Sequence, residues 1–396
     1  MTIVDLLDIP SVTDPRLSPD GEEMLFVLAQ ADWKENKRVP QVWRASRGGG
    51  DSMQLTFGKD GASEPRWSPD GSWIAFLAKR DGDEETQIYL LPRRGGEGRR
   101  LSTHPTSVSD LAWAPDGKSL YFLASDEKTE EEKKRDEAKD DVFAFDENFK
   151  QQHLWRIALP ADPKEKAEAE RLSEGDFSVR SFEVSADGTL ILSHRAPTPL
   201  FDDTDESEIW LLRLEGKQWR RLTENRVPES GATLSPDGST VLFVAGANAD
   251  FELYYNDKIF LVPAAGGAAR LLLPDLPYEV GEARWSKDGA SIFFTANTGV
   301  RSELFKVEVE SREVTQLTCG EHAVVRWHYL PQRGEHLLSI DEITRPGDLW
   351  LLSDGGELRQ VTHLFDELAS RFQLPRQEAF RWKGEDGQEA EGLLFY

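Results

Sequence analysis

The chain has 396 residues, with 47 Lys+Arg against 72 Asp+Glu and a formal net charge of −25. That balance repels a phosphate backbone unless a basic patch is built locally, and basic clusters such as Arg93-Arg94 and Arg99-Arg100 are short, so nucleic acid is not an expected partner. Hydrophobic residues make up 38% and charged residues 30%, as in soluble globular proteins, and no apolar run approaches the roughly 18 residues of a membrane span.

The chain opens on Met1-Thr2-Ile3-Val4-Asp5, acidic by its fifth residue and without the basic region and apolar core of a secretory signal. Cys319 is the single cysteine, so no intramolecular disulfide is expected, which fits a reducing compartment. The expected location is the cytoplasm.

From residue 17 onward the sequence repeats. Leu17-Ser18-Pro19-Asp20-Gly21 returns as Trp67 to Gly71, Trp113-Ala114-Pro115-Asp116-Gly117, Val184-Ser185-Ala186-Asp187-Gly188, Leu234 to Gly238 and Trp285-Ser286-Lys287-Asp288-Gly289, with a degraded seventh copy at Trp327 to Gly334. A second mark is an aromatic or apolar strand: Val42-Trp43, Ile88-Tyr89, Leu154-Trp155, Ile209-Trp210, Ile259-Phe260, Leu304-Phe305 and Leu349-Trp350. A third closes each unit, at Leu55-Thr56, Leu101-Ser102, Leu172-Ser173, Leu222-Thr223, Leu271-Leu272, Leu317-Thr318 and Val361-Thr362.

The third marks are spaced by 46, 71, 50, 49, 46 and 44 residues. A period of about 40 to 50 is that of a four-stranded propeller blade, and the outlier of 71 carries an insertion. In the second unit, Glu64 to Trp67 reads as strand A, Ser68-Pro69-Asp70-Gly71 as a tight turn, Trp73 to Ala78 as strand B, Gln87 to Leu91 as strand C and Arg99 to Leu101 as strand D. Proline presets φ and glycine supplies a positive φ, which gives the turn its mechanism. The fold class is therefore all-β: a seven-bladed β-propeller over residues 14 to 363.

Each unit runs from strand A to strand D, so no strand is borrowed from the far end of the chain, and the ring is predicted to close openly, without an exchanged outer strand. The Pro-Asp-Gly and Gly-Gly turns then fall on one face. The B-to-C loops, the D-to-A loops and both chain ends fall on the other, which carries the variable segments Asp32 to Pro40, Ser125 to Gln152, His194 to Glu208 and Gly246 to Lys258. Long loops on a rigid scaffold usually carry function. Within the insertion, Asp126 to Asp141 is packed with Lys, Asp and Glu and reads as a solvated helix or a disordered tract, and Val142 to Phe149, with three Phe beside acids, reads as a segment that packs on something.

A search for chemistry yields little. No Gly-x-Ser-x-Gly elbow occurs, the seven histidines show no metal-pairing motif, and Gly48-Gly49-Gly50 lacks the lysine of a phosphate loop. Asp202-Asp203-Thr204-Asp205-Glu206 lacks the glycine and spacing of an EF-hand. No metal, cofactor or catalytic residue is assigned. Four arginines near an inner strand or in a facing loop, Arg180, Arg195, Arg226 and Arg345, are the candidate substrate-binding residues, because a guanidinium fork pairs with a peptide carboxylate.

Beyond the seventh unit, Glu378 to Tyr396 reads as two alternating strands about the Asp386-Gly387 turn. Repeated Ser-Pro-Asp-Gly blades followed by this Asp386-Gly387 to Leu393 segment resemble the propeller and domain junction of the prolyl oligopeptidase family of serine peptidases. The opening Val4 to Pro10 leading into Asp14 to Gly21 is similar to the acylaminoacyl-peptidase branch. The resemblance covers essentially the whole chain, although Ser-Pro-Asp-Gly alone is shared with Tol-type propellers.

The resemblance implies an α/β-hydrolase domain of the same polypeptide that carries a Ser-Asp-His triad, capped by a propeller that admits short peptides, acylaminoacyl-peptides among them, and excludes folded proteins. Nothing in this sequence matches the triad, so the chain alone is expected to be inactive. On this reading residues 1–13 pack on the hydrolase, residues 364–396 are a linker and the hydrolase's first strands, and the enzyme self-associates into a homo-oligomer. The alternative is a stand-alone propeller acting as a protein-interaction scaffold.

Overall fold

The structure is a computed structural model that describes all residues except 141, 143–148, 163–164, 254 and 354. Each Ser-x-Asp-Gly signature folds as a tight turn between the first two strands of an antiparallel sheet. Ser68 Oγ donates to Asp70 Oδ1 at 2.5 Å and accepts from the Trp73 amide at 2.9 Å, while Asp70 Oδ1 accepts from the Ser72 amide and Gly71 sits at φ +67°. The same bonds recur at Ser18/Asp20, Ser185/Asp187, Ser235/Asp237 and Ser286/Asp288. In the third unit Ala114 replaces the serine, and Asp116 keeps only the bond from the Lys118 amide, at 2.9 Å.

Four strands in sequence order build each blade, over residues 11–54, 62–100, 108–171, 178–221, 229–271, 280–316 and 323–360. The second blade runs Ala62–Trp67, Trp73–Ala78, Gln87–Pro92 and Arg99–Arg100, in the predicted order. A single parallel bridge, Ser302 to Ala323, links the sixth and seventh blades. Among the described residues every blade uses consecutive strands and none takes a strand from the other chain end, which is the expected open closure.

The residue that ends each unit has a specific task. The hydroxyl after the last strand accepts from an amide of strand C and, in four of the blades, donates to the polar side chain one residue before that amide. Thr56 Oγ1 bonds Val42 N and Gln41 Oε1 at 2.9 and 2.7 Å, Ser102 bonds Ile88 N and Gln87, Thr318 bonds Leu304 N and Glu303, and Thr362 bonds Leu349 N and Asp348. The third mark is thus a clasp from the outer strand to its neighbour, each bond worth about 1 kcal/mol. The fifth blade has Leu272 in that position, and its strand C opens on Lys258, whose ammonium donates to the Leu276 and Tyr278 carbonyls.

The chain groups into two compact units. Met1–Pro65, Asn256–Lys258 and Leu272–Tyr396 hold the first, sixth and seventh blades with both chain ends. Their core joins Leu17, Met24 and Phe26 to Leu337, Leu349 and Phe365, and buries His336 beside Trp327, whose Nε1 donates to His336 Nδ1 at 3.0 Å. Arg66–Tyr255 and Ile259–Leu271 hold the second to fifth blades, whose cores run through Leu90, Phe122, Leu154, Leu212, Phe243 and Phe260.

Two predicted loops are shorter than the sequence suggested. Asp32 to Pro40 is largely a hairpin, because Glu23–Asp32 and Lys37–Ser46 pair along their full length. His194 lies within Leu190–Ala196, leaving 197–207 as the connection. The charged insertion holds a helix, Glu130–Glu137, opened by a Thr129/Glu132 capping box and with no buried residue, the solvated helix of the sequence reading. Val142 to Phe149, expected to pack on something, lies mostly outside the described residues. No described helix is long and apolar enough to cross a membrane.

Candidate functional site

In the first unit the B-to-C loops meet both ends of the chain. A helix at Ile3–Asp8 is closed by a Thr2/Asp5 capping box and buries none of its residues; Ile3, Val4, Leu6 and Leu7 are exposed. Six residues do not hold a helix unaided. Arg38 donates to the Leu7 and Ile9 carbonyls at 2.8 and 3.0 Å, and Trp33 Nε1 donates to Asp8, so the hairpin of the first blade holds the helix.

The predicted strands about Asp386-Gly387 form a hairpin, Gln377–Lys383 with Glu389–Phe395. Alternation divides its side chains. Gln377, Ala379 and Leu393 line a cavity of about 270 Å³ shared with Val300, Arg301, His322 and Ile343 of the adjoining loops. The opposite face carries Phe380, Trp382 and Leu394, all exposed, with the Phe380 and Trp382 rings stacked at 5.8 Å. The Trp382 ring lies over Gly392, where a Cβ would stand 3.3 Å from it.

Next to that cavity, Glu303 is buried and accepts from His322 Nε2 at 3.0 Å, Thr318 Oγ1 at 2.6 Å and the Gly320 amide at 3.1 Å. Burial pushes its carboxyl up, but the His322 and Thr318 hydrogen bonds outweigh it and hold it below the ordinary range. His322 and His328 each have other partners: His328 Nδ1 accepts the Leu17 amide at 3.1 Å. Arg345, the candidate in this unit, pairs with Glu342 at 2.7 Å and Gln360 at 2.8 Å, and so fastens the turn between the second and third strands of its own blade.

In the second unit the fourth blade holds two candidates with different surroundings. Arg180 donates to the Pro199 and Leu200 carbonyls and to Thr204 Oγ1, at 2.8, 2.5 and 2.8 Å. It thereby fixes a two-turn 3₁₀ helix, Phe201–Glu206, whose first residue is 88% exposed. Arg195 turns inward: its guanidinium carbon lies 3.6 Å from the Trp219 ring centre, 4.2 Å from that of Phe177 and 4.7 Å from that of Trp210. Arg226 is exposed in the loop entering the fifth blade. The structure therefore does not bring the three arginines of this unit to one point.

A cleft of about 550 Å³ lies beside the second and third blades, lined by His104, Pro105, Asp126, Trp155, Lys166 and Arg171 among others. Its floor is aromatic, with His104 edge-on to Trp155 at 4.7 Å. Asp126 pairs with Arg171 at 3.0 Å, and buried His153 stands 3.6 Å behind it. Sequence reading missed this cleft and the Arg195 cage. Trp155 and Trp210 were marked only as regularly spaced blade aromatics, and nothing in that spacing tells a core ring from one that stacks on a cation.

Residues 10–152 match the TolB beta propeller domain family. A curated relative, dipeptidyl-peptidase 5 of Porphyromonas gingivalis, is 22% identical over 336 residues, which is 80% of this chain and 49% of that protein. Among solved structures, the Pyrococcus horikoshii acylaminoacyl peptidase is similar with a TM-score of 0.71 at 20% identity, covering 98% of this chain and 58% of that one. The propeller domain of the Trilobed protease from Pyrococcus furiosus, described as having an open velcro topology, is similar with a TM-score of 0.62 at 17% identity, over 90% of this chain and 98% of that one. The fold is thus a β-propeller with open closure, and the chain spans about half the length of dipeptidyl-peptidase 5 and of the acylaminoacyl peptidase.

Proposed function

We propose that this chain is the propeller portion of a cytoplasmic serine oligopeptidase, capping an α/β-hydrolase domain that cleaves short peptides, acylated ones included. The observation that carries this reading is the exposed face of Phe380, Trp382 and Leu394 on the Gln377–Phe395 hairpin. A two-stranded hairpin is marginal in water by itself, and an apolar face left open to solvent on one is suited to continuing into a further sheet. The exposed apolar residues of the Ile3–Asp8 helix, also set against a B-to-C loop of that unit, support a second contact with the same domain. Two of the matched peptidases, of which this chain covers 49% and 58%, are consistent with it.

On this reading the hydrolase supplies nucleophile, base and oxyanion donors, and the propeller restricts access by size. The test is to expose the native protein from its source cell to a serine-reactive fluorophosphonate and weigh it intact. One adduct on a species well above 44.7 kDa, which cleaves short and acylated peptides but not a folded protein, is expected. An unlabelled species at 44.7 kDa overturns the reading and leaves a protein-interaction scaffold.

A further inference from the structure

Arg195 is a buried cation without a counter-ion. Its residue is 7% exposed, and among the described residues its guanidinium has one hydrogen bond, from Nε to Ser193 Oγ at a long 3.4 Å. Nη2 is buried without an acceptor, and Nη1 makes no hydrogen bond among the described residues. The carboxylate opposite in the strand register, Glu208, commits Oε1 to Arg221 at 2.8 Å and to the Asn225 amide at 2.9 Å, while its Oε2 is buried without a partner and makes no hydrogen bond to Arg195. Three aromatic faces surround the guanidinium and offset part of its lost hydration, each by about 0.5 to 2 kcal/mol. Stacking leaves the planar edge, where the N–H groups point, unused. A buried charge left so is costly, and burial lowers this guanidinium to about 9, where it is still charged at neutral pH.

We propose that Arg195 is the anchor of an anion site that takes one small monovalent carboxylate or halide on the unpaired N–H groups of its guanidinium. Two parallel N–H groups suit a carboxylate in fork geometry and also suit a halide between them. The rings of Trp219 and Phe177 hold the fork in one plane, so little is lost in ordering it when the anion arrives. A free ion and the terminal carboxylate of a peptide share this chemistry. The site does not rest on the peptidase reading, because it belongs to the fourth blade and is tested on this chain alone.

The test follows the thermal midpoint and near-ultraviolet circular dichroism of the 396-residue chain at constant pH and ionic strength, in a sodium sulfate background whose divalent anion is outside the class proposed. Sodium chloride, sodium acetate, an N-acetylated tripeptide with a free carboxylate and its amide are titrated in turn. A saturable rise in midpoint is expected, with a change in the tryptophan bands because Trp210 and Trp219 flank the site. The apparent affinity should be about ten- to a hundredfold weaker in Arg195→Met, the worth of a charge-assisted hydrogen bond.

A response to chloride and acetate alike supports a free ion as the occupant, and a response to the tripeptide but not its amide or chloride supports a peptide terminus. Bromide soaked into crystals provides a second readout, independent of any variant's folding: an anomalous peak within hydrogen-bond reach of Nη1 or Nη2 supports the site. No saturable response, or the same response in Arg195→Met, overturns the proposal and leaves the charge to water shared with Glu208 Oε2.

Discussion

The guanidinium of Arg47 meets the carboxylate of Glu335 through two hydrogen bonds, Nη1 to Oε2 at 2.6 Å and Nη2 to Oε1 at 2.7 Å, across 288 residues of chain. It is a fork between the first and last blades, where an exchanged strand would otherwise join them. Arg333 adds to it, since its Nε donates to Glu335 at 3.1 Å and its Nη1 to the Asp20 carbonyl at 2.9 Å. The degraded seventh turn thus loses its aspartate and gains an arginine that grips the first turn. Side chains and the apolar core they cover make this junction.

Arg47→Met should destabilise the chain by about 1 to 3 kcal/mol, because it strands a nearly buried carboxylate on one remaining partner. The pair also sets a pH dependence. The Arg47 hydrogen bond, with Arg333 behind it, holds Glu335 below its ordinary value. Its contribution is therefore present above about 4.5 and is lost as pH falls from there through the lowered value. Denaturant unfolding at pH 7 and pH 4 should show the gap between wild type and Arg47→Met narrowing at the lower pH; a constant gap contradicts the pairing.

The clasp hydroxyls predict a position-specific effect. Thr362→Val preserves shape but removes the acceptor of the Leu349 amide and the donor to Asp348, at 2.8 and 2.7 Å. About 1 to 3 kcal/mol of stability should be lost, and Thr318→Val in the sixth blade should behave alike. Leu272→Thr in the fifth blade, which gives it a hydroxyl like those of the other blades, should destabilise as well, since Lys258 only donates and offers the buried hydroxyl proton no acceptor. Urea midpoints of the three variants decide the matter; a stabilising Leu272→Thr contradicts the clasp as described.

Much of this was legible in the sequence because turn chemistry is local. Ser68, Asp70 and Gly71 complete their bonds within six residues, so a motif at a fixed period sufficed to place strands, blades and closure. Thr56 was visible as a recurring strand end, but its reason was not, since its partners lie 14 and 15 residues earlier on another strand. The four arginines show the limit most clearly. Arg180 and Arg195 stand 15 positions apart in the same blade, yet one builds a loop and the other stacks in a cage, and the difference rests on Phe177, Trp210, Trp219 and the 199–204 carbonyls.

Glu229 gives the chain a second, opposite pH dependence. It is buried at the start of the fifth blade, accepting from Thr223 Oγ1 at 2.7 Å and Asn225 Nδ2 at 2.6 Å. Burial pushes its carboxyl up to about 7, and neighbouring Glu208 adds to the rise against those two hydrogen bonds. The unfolded chain then ionises first, so stability falls as pH rises from about 4.5 to about 7, by up to about 3 kcal/mol. Glu229→Gln, neutral at every pH, should flatten that window and raise the midpoint at pH 8 relative to wild type. An unchanged pH profile in the variant contradicts a raised carboxyl there.

The open face of the hairpin separates folding from docking. Phe380 and Trp382 stack on each other on an exposed face of the hairpin, so Phe380→Ser with Trp382→Gln should change the stability of this chain by no more than about 0.5 kcal/mol, as surface changes do. Binding of a hydrophobic dye should fall at the same time, since the largest exposed rings of that face are gone. In a longer protein that contains a hydrolase domain, the same pair should lower peptidase activity and increase susceptibility to proteolysis near residue 376. A large loss of stability in this chain alone would mean that the rings already support the propeller, and the hairpin would then belong to its core rather than to a neighbouring domain.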